Sequence, residues 1–217
     1  MRRQSTAEGE VVAGGAEGEE AAAAEGQAPA EAGDQAEKPA EELSIAFIPT
    51  AADPYEDKWF VDVDRKALKE RGYLVQEVDL KKKGMGNLRE EMGNASIIFV
   101  CGGNTFYLLE KARESGFDEV VKELVEKGVI YIGSSAGSVL VGPDIEPVAW
   151  MDDPSKAKLD STKGLGLVDF VALPHFGNKK YISKYEEIVK KYSDKYDLIK
   201  LTDKQAVIVE GEDRKIV

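Results

Sequence analysis

From residue 43 onward the chain alternates between short unbroken apolar runs and longer stretches whose apolar residues recur every three or four positions. The run 43–49 is apolar, ends in Pro49 and predicts a buried strand. Residues 58–71 carry Trp59, Phe60, Val63, Ala67 and Leu68 at helical spacing and stop at Arg71-Gly72, a helix terminus. Strands follow at 73–80 and at 96–101, the latter continuous and apolar as when both faces of a sheet are covered. Amphipathic helices are predicted at 105–115 and 118–127, separated by Gly116. Further strands fall at 129–132, 168–173, 197–201 and 206–210, with a helix at 181–196 and a short terminal strand at 215–217. This alternation predicts an α/β domain, a mostly parallel sheet sandwiched between helices, with ligand sites in the loops beyond the carboxyl ends of its strands.

Residues 1–42 have a different texture. They are built from Ala, Glu, Gly, Gln and Pro, with eleven acids against Arg2, Arg3 and Lys38, and only Met1, Val11 and Val12 as larger apolar side chains. Such a segment buries too little surface to offset its ordering entropy, so a disordered acidic tail is expected over 1–42 and the folded domain over 43–217. Deleting residues 1–40 should then change stability and turnover little. The tail carries most of the net charge of -12, leaving a body with no broad positive field and no reason to bind nucleic acid. No run is long and apolar enough to span a membrane, and the N-terminus has no apolar stretch behind its arginines, so a cytoplasmic protein is expected. One cysteine and one histidine exclude a disulfide framework and a multi-histidine metal site; no cofactor is expected.

The chemistry is concentrated in three loops on one sheet edge. Strand 129–132 runs into Gly133-Ser134-Ser135-Ala136-Gly137, a G-x-S-x-G pattern between a buried strand and a helix. In that setting the turn lifts Ser135 clear of the sheet at a helix N-terminus, where the Ala136 amide faces developing negative charge. The same residues would also suit a small-residue turn or a phosphate-binding helix start. A serine nucleophile needs a base, and the sole histidine, His175, follows the strand ending Leu173-Pro174, on the same edge. The third loop is Cys101-Gly102-Gly103-Asn104-Thr105, whose paired glycines let a backbone amide approach a substrate oxygen. The Gly103 amide is thus a candidate partner of Ala136 in an oxyanion hole. Cys101 lies inside its apolar run and reads as core.

Together, Cys101-Gly102-Gly103-Asn104-Thr105-Phe106, Gly133-Ser134-Ser135-Ala136-Gly137 and Leu173-Pro174-His175-Phe176 resemble the three blocks of the dipeptidase E (aspartyl dipeptidase) and cyanophycinase family of serine peptidases, in order and spacing across residues 44–210. The resemblance implies a fold like that of class I glutamine amidotransferases, a three-layer α/β/α sandwich, and a triad of serine, histidine and an acid after a late strand. The matching stretch is Lys200-Leu201-Thr202-Asp203-Lys204, with Asp203 where the family has glutamate. The shorter side chain requires its loop to come closer, or Asp152 or Asp153 to serve instead. Ser134 stands where aspartyl dipeptidases carry tryptophan, and Trp150-Met151-Asp152-Asp153-Pro154 replaces their Asn-Asp-Met-Pro segment. Strict preference for N-terminal aspartyl peptides is therefore unsupported.

The resulting expectation is a serine peptidase acting on short peptides, with Ser135, His175 and Asp203 catalytic and Gly103 and Ala136 holding the oxyanion. The acid-rich loop 143–164 is expected to overhang the site or to lie on the surface. Asn104, Asp152, Asp153 and Lys179 (or its neighbour Lys180) are the candidate substrate contacts. Another acyl hydrolase (an esterase, an amidase or a cyanophycinase-like isopeptidase) and a non-catalytic binding module on the same fold are the alternatives.

Overall fold

The computed structural model describes residues 10–14, 38–82 and 84–217. Its strands are β1 (Glu10–Gly14), β2 (Ser44–Ile48), β3 (Leu74–Glu77), β4 (Ile97–Val100), β5 (Ile130–Ser134), β6 (Phe170–Leu173), β7 (Asp197–Lys200), β8 (Ala206–Glu210) and β9 (Asp213–Ile216). The α-helices are α1 (Trp59–Glu70), α2 (Met85–Met92), α3 (Thr105–Ser115), α4 (Phe117–Glu126), α5 (Ala136–Leu140) and α6 (Ile182–Tyr192). Seven strands form one sheet in the order β3-β2-β4-β5-β1-β8-β9, parallel from β3 to β1 and antiparallel beyond. The strands β6 and β7 pair with each other, parallel, as a separate ribbon.

The continuous apolar runs are explained by burial on both faces. In β2 and β4, Ile45, Phe47, Ile97 and Phe99 point to one side, where Val61 of α1 and Cys101 complete a small core. Their neighbours Ala46, Ile48, Ile98 and Val100 point to the other side, into the main core with Phe106, Leu109, Phe117 and Leu140. Phe47 and Phe99, opposite each other in the ladder, stack at 5.6 Å between ring centroids. Helix α1 sits differently from its sequence pattern: Val61 is buried, whereas Trp59 is 44% and Val63 47% exposed. Helix α2 escapes the pattern altogether, because only Leu88 and Met92 mark its buried side and Gly84 and Gly86 blur its start.

The expected tail is corrected at Glu10–Gly14. These residues form a central strand, parallel to β5 from Val11 opposite Tyr131 to Gly14 opposite Ser134, and antiparallel to β8. The composition argument counts buried apolar side chains, whereas a strand seated between two others also satisfies its backbone groups on both sides. Residues 1–9 and 15–37 lie outside the described residues. At 40–42 the chain forms a short 3-10 turn leading into Leu43, which is buried.

A consequence can be measured. Deleting residues 1–14 leaves β5 and β8 each without one of its two neighbours in the middle of the sheet, so its melting midpoint should fall at least about 10 °C below that of a chain lacking only residues 1–9. Equal midpoints would show that the sheet does not need this strand.

Candidate active site

Strand β5 delivers Ser135 at its carboxyl end, and the turn there has no spare room. A Cβ on Gly133 would come within 2.5 Å of the Gly137 carbonyl, and one on Gly137 within 2.2 Å of the Val100 oxygen. Both elbow glycines are therefore demanded by close backbone approach. The turn is braced from below: the buried Tyr131 hydroxyl donates to the Gly137 carbonyl at 2.9 Å, and Ser138 Oγ donates to the Ser135 carbonyl at 2.6 Å. Ser135 itself is held at φ 49° and ψ -108°, outside the regions favoured by L-residues. Among the described residues only one other non-glycine residue has a positive φ, His175 at 64°. Strain of this kind, of order 1–3 kcal/mol per residue, persists where the surroundings over-determine it, and here it falls on two residues that touch.

Ser135 Oγ lies 2.9 Å from His175 Nε2, and His175 Nδ1 lies 2.8 Å from Asp203 Oδ1. The β6–β7 ribbon produces the second contact. Its parallel register sets Leu173 opposite Lys200, and the pairing continues as Leu201 N–H donates to the Leu173 carbonyl and Phe176 N–H to the Leu201 carbonyl. Residues just past the two strand ends, His175 and Asp203, are thereby side by side. Gln205 secures the acid's turn, its Oε1 accepting from the Thr202 amide at 3.1 Å and from the Thr202 hydroxyl at 3.0 Å. The loop thus comes close enough for the shorter carboxylate. The Tyr185 hydroxyl, donating to the Pro174 carbonyl, anchors the histidine's other flank to α6.

The glycine loop after β4 borders the same place. A Cβ on Gly102 would lie 3.1 Å from Ser135 Cβ, and one on Gly103, at φ 143°, would fall 2.1 Å from the Ala51 oxygen. Gly103 and Ala136 both line the cavity that contains Ser135, of about 370 Å³. Ala136 opens α5, where amides have no carbonyl of their own helix to bond. A hydroxyl, an imidazole and a carboxylate linked in this order can pass a proton from the oxygen to the ring, beside amides able to receive negative charge.

The sequence profile of peptidase family S51 matches residues 16–217. An uncharacterized peptidase of Listeria monocytogenes is 34% identical over 171 residues, covering 78% of this chain and 83% of the relative. The chain belongs to peptidase family S51. Peptidase E of a Nostoc species is 33% identical over 134 residues, 62% of this chain and 52% of that one. A solved Listeria monocytogenes structure, described as a candidate peptidase E, superposes with a TM-score of 0.76 at 32% identity, over 81% of this chain and 85% of that chain. This chain is accordingly an enzyme, a serine-type peptidase, on a three-layer α/β fold. No helix among its described residues is long and apolar enough to cross a membrane.

The remaining expectations for this S51 peptidase divide. Part of the loop 143–164 does overhang the cavity, through Val148, Met151, Asp152 and Asp153. Asp152 is not beside the histidine's Nδ1. Its Oδ2 accepts from the Thr105 amide at 2.9 Å and the Thr105 hydroxyl at 2.5 Å, stapling the loop to the start of α3. Burial pushes the Asp152 carboxyl above its ordinary pKa, and those two bonds pull it part of the way back. Asp153 Oδ1 accepts from the Ser155 amide, capping its own turn. Asn104, named above as a candidate substrate contact, is not in the lining of the cavity that contains Ser135. It is buried at 1% exposure, its Oδ1 accepts from the Tyr107 amide at 2.9 Å, and its Nδ2 donates to the Asp153 carbonyl at 3.0 Å, so its polar atoms are used in holding α3 to the loop. Lys179 is replaced in the cavity lining by Lys180 and Lys184, which also stand over the Tyr181 ring.

Sequence reasoning missed one wall entirely. Tyr55, Trp59, Phe60 and Asp64 line the cavity from the start of α1 and the loop before it. Trp59 and Phe60 were legible only as part of a helical stripe, and the exposed rings of Tyr55 and Trp59 distinguish this wall from core.

Proposed function

We propose that this S51 peptidase hydrolyses short peptides, with Ser135 as nucleophile, His175 as general base and then general acid, and Asp203 as the group that orients and stabilises the imidazolium. The observation that carries the reading is the unbroken pair of hydrogen bonds, Ser135 to His175 and His175 to Asp203, on a strained elbow. Ser135 Oγ attacks the scissile carbonyl and yields its proton to His175 Nε2. The Gly103 and Ala136 amides receive the developing oxyanion, and the ring returns the proton to the leaving amine. Water then repeats the sequence on the acyl-enzyme. The cavity volume of about 370 Å³ suits a peptide of two or three residues rather than an extended chain.

A fluorophosphonate probe should label wild-type protein at Ser135, and a dipeptide panel should be cleaved in preference to short acyl esters. Cleavage of the esters alone would assign another acyl hydrolase to the same residues. Failure of both labelling and cleavage would leave a binding module on the peptidase fold.

A further inference from the structure

Asp64 is a charged group in the cavity for which the proposed mechanism has no use. It lies on α1, one helical turn beyond Phe60 and on the same face. Arg65, its neighbour in sequence, is directed elsewhere, bonding Asp62 at 2.5 Å and Glu77 at 2.8 Å. The other titratable group near it is the buried Cys101 thiol of the next layer, which burial and then the Asp64 charge hold well above its ordinary pKa. Among the described residues no donor or cation bonds the Asp64 carboxylate, and burial pushes its pKa up to about 6. A carboxylate partly withdrawn from water without a partner costs stability. Retaining one in an enzyme cavity is understandable where a ligand supplies the missing charge.

Both cations and carboxylates line the side of the cavity opposite α1, where Lys180 and Lys184 stand with Asp152 and Asp153. Lys184 and His175 both act on the charge of Asp152, and Lys180 and Tyr181 line the same α6 side. In the proposed mechanism His175 protonates the leaving amine, so the leaving residue lies toward α6. The acyl residue then extends past Gly102 and Gly103 toward α1, from which Trp59, Phe60 and Asp64 line the same cavity. An apolar wall ending in a carboxylate matches a side chain with an alkyl stem and a cationic tip.

We propose that Asp64 determines specificity in a subsite for the acyl residue, accepting the ammonium or guanidinium end of a lysine or arginine side chain. This rests on the peptidase reading above for its orientation.

The test uses the full chain and lysyl-alanine, arginyl-alanine and norleucyl-alanine, with the N-acetylated form of each. The cationic substrates should exceed the norleucyl one at least about tenfold in kcat/KM, chiefly through KM, and Asp64→Asn should bring that ratio close to one. Asp62→Asn, on the exposed side of α1, should keep the ratio. No preference for lysine over norleucine, or a preference that survives Asp64→Asn, overturns the proposal. So does a dependence on the free α-amine with none on the side chain.

A binding arm is independent of cleavage. Ser135→Ala protein titrated with N-acetyl-lysine amide and N-acetyl-norleucine amide should prefer the former, and Ser135→Ala/Asp64→Asn should not. If this preference holds while wild type cleaves no peptide, the peptidase reading fails and the cation subsite stands. Cleavage without either preference sinks the subsite alone.

Thermal melting gives a third readout. With its pKa raised, the folded Asp64 keeps a proton that the unfolded chain has already released, so stability is lost as pH rises from about 4 to about 6 and stays lost above that. Asp64→Asn should therefore raise the midpoint at pH 7 by about 5 °C over wild type and leave it nearly unchanged at pH 4. An equal shift at both pH values would mean that the carboxylate is not the unpartnered group required.

Discussion

Ser135→Ala is expected to lower kcat on any good peptide by roughly three to six orders of magnitude, with a melting midpoint within a few degrees of wild type. The size of the loss follows from what remains. Amides at Gly103 and Ala136 would still polarise a carbonyl, but His175 would have only water to activate, and no acyl-enzyme could form. The fold should tolerate the change because the elbow is shaped by Gly133, Gly137 and the Tyr131 hydroxyl rather than by the serine side chain. Fluorophosphonate labelling should vanish with the activity. A folded Ser135→Ala protein that turns over normally would overturn the whole mechanism.

The second large effect belongs to the acid. Asp203→Asn should reduce kcat on the order of 10³–10⁴-fold, because an amide at that place can donate to Nδ1 and so favour the tautomer whose Nε2 carries the proton and cannot accept one from Ser135. His175 Nδ1 is 2.8 Å from Asp203 Oδ1, whereas Asp152 is committed to the amide and hydroxyl of Thr105. Asp152→Asn should accordingly act by loosening the overhanging loop, raising KM more than it lowers kcat. Measuring both constants for both variants on one peptide separates the two acids. If Asp152→Asn collapses in kcat and Asp203→Asn stays near wild type, the orienting carboxylate is the loop residue.

The parts of this site that sequence made legible are those in which local chain geometry demands particular residue types. A buried strand passing through Gly133-Ser134-Ser135-Ala136-Gly137 into a helix leaves few alternatives to a sharp elbow, and the glycines are needed for reasons of contact that operate within five residues. The position of His175 followed from the end of its strand. Asp203 needed more: its proximity to His175 depends on the parallel register of β6 and β7, a pairing between segments about thirty residues apart that neither segment specifies alone. The placing of Asn104 was hidden for a similar reason, since its partner Asp153 arrives from another part of the chain. The wall from α1 was hidden because Trp59, Phe60 and Asp64 look like an ordinary amphipathic helix until the cavity is seen beside it. Composition misled most at Glu10–Gly14, where backbone pairing on two sides outweighs a poor supply of apolar side chains.

The slot occupied by that strand has a bearing on how the molecule is made. A ribosome releases residues in order, so Glu10–Gly14 emerges before both strands that flank it: β5, which closes at Ser134, and β8, which closes at Glu210. The earliest of the described strands to leave the tunnel is thus among the last that can be seated. While β2, β3 and β4 pair with near neighbours, Glu10–Gly14 must wait for its partners. Translation speed and chaperone occupancy through the last third of synthesis should therefore govern the yield of native protein, and an N-terminal fusion would burden the one strand with the longest wait.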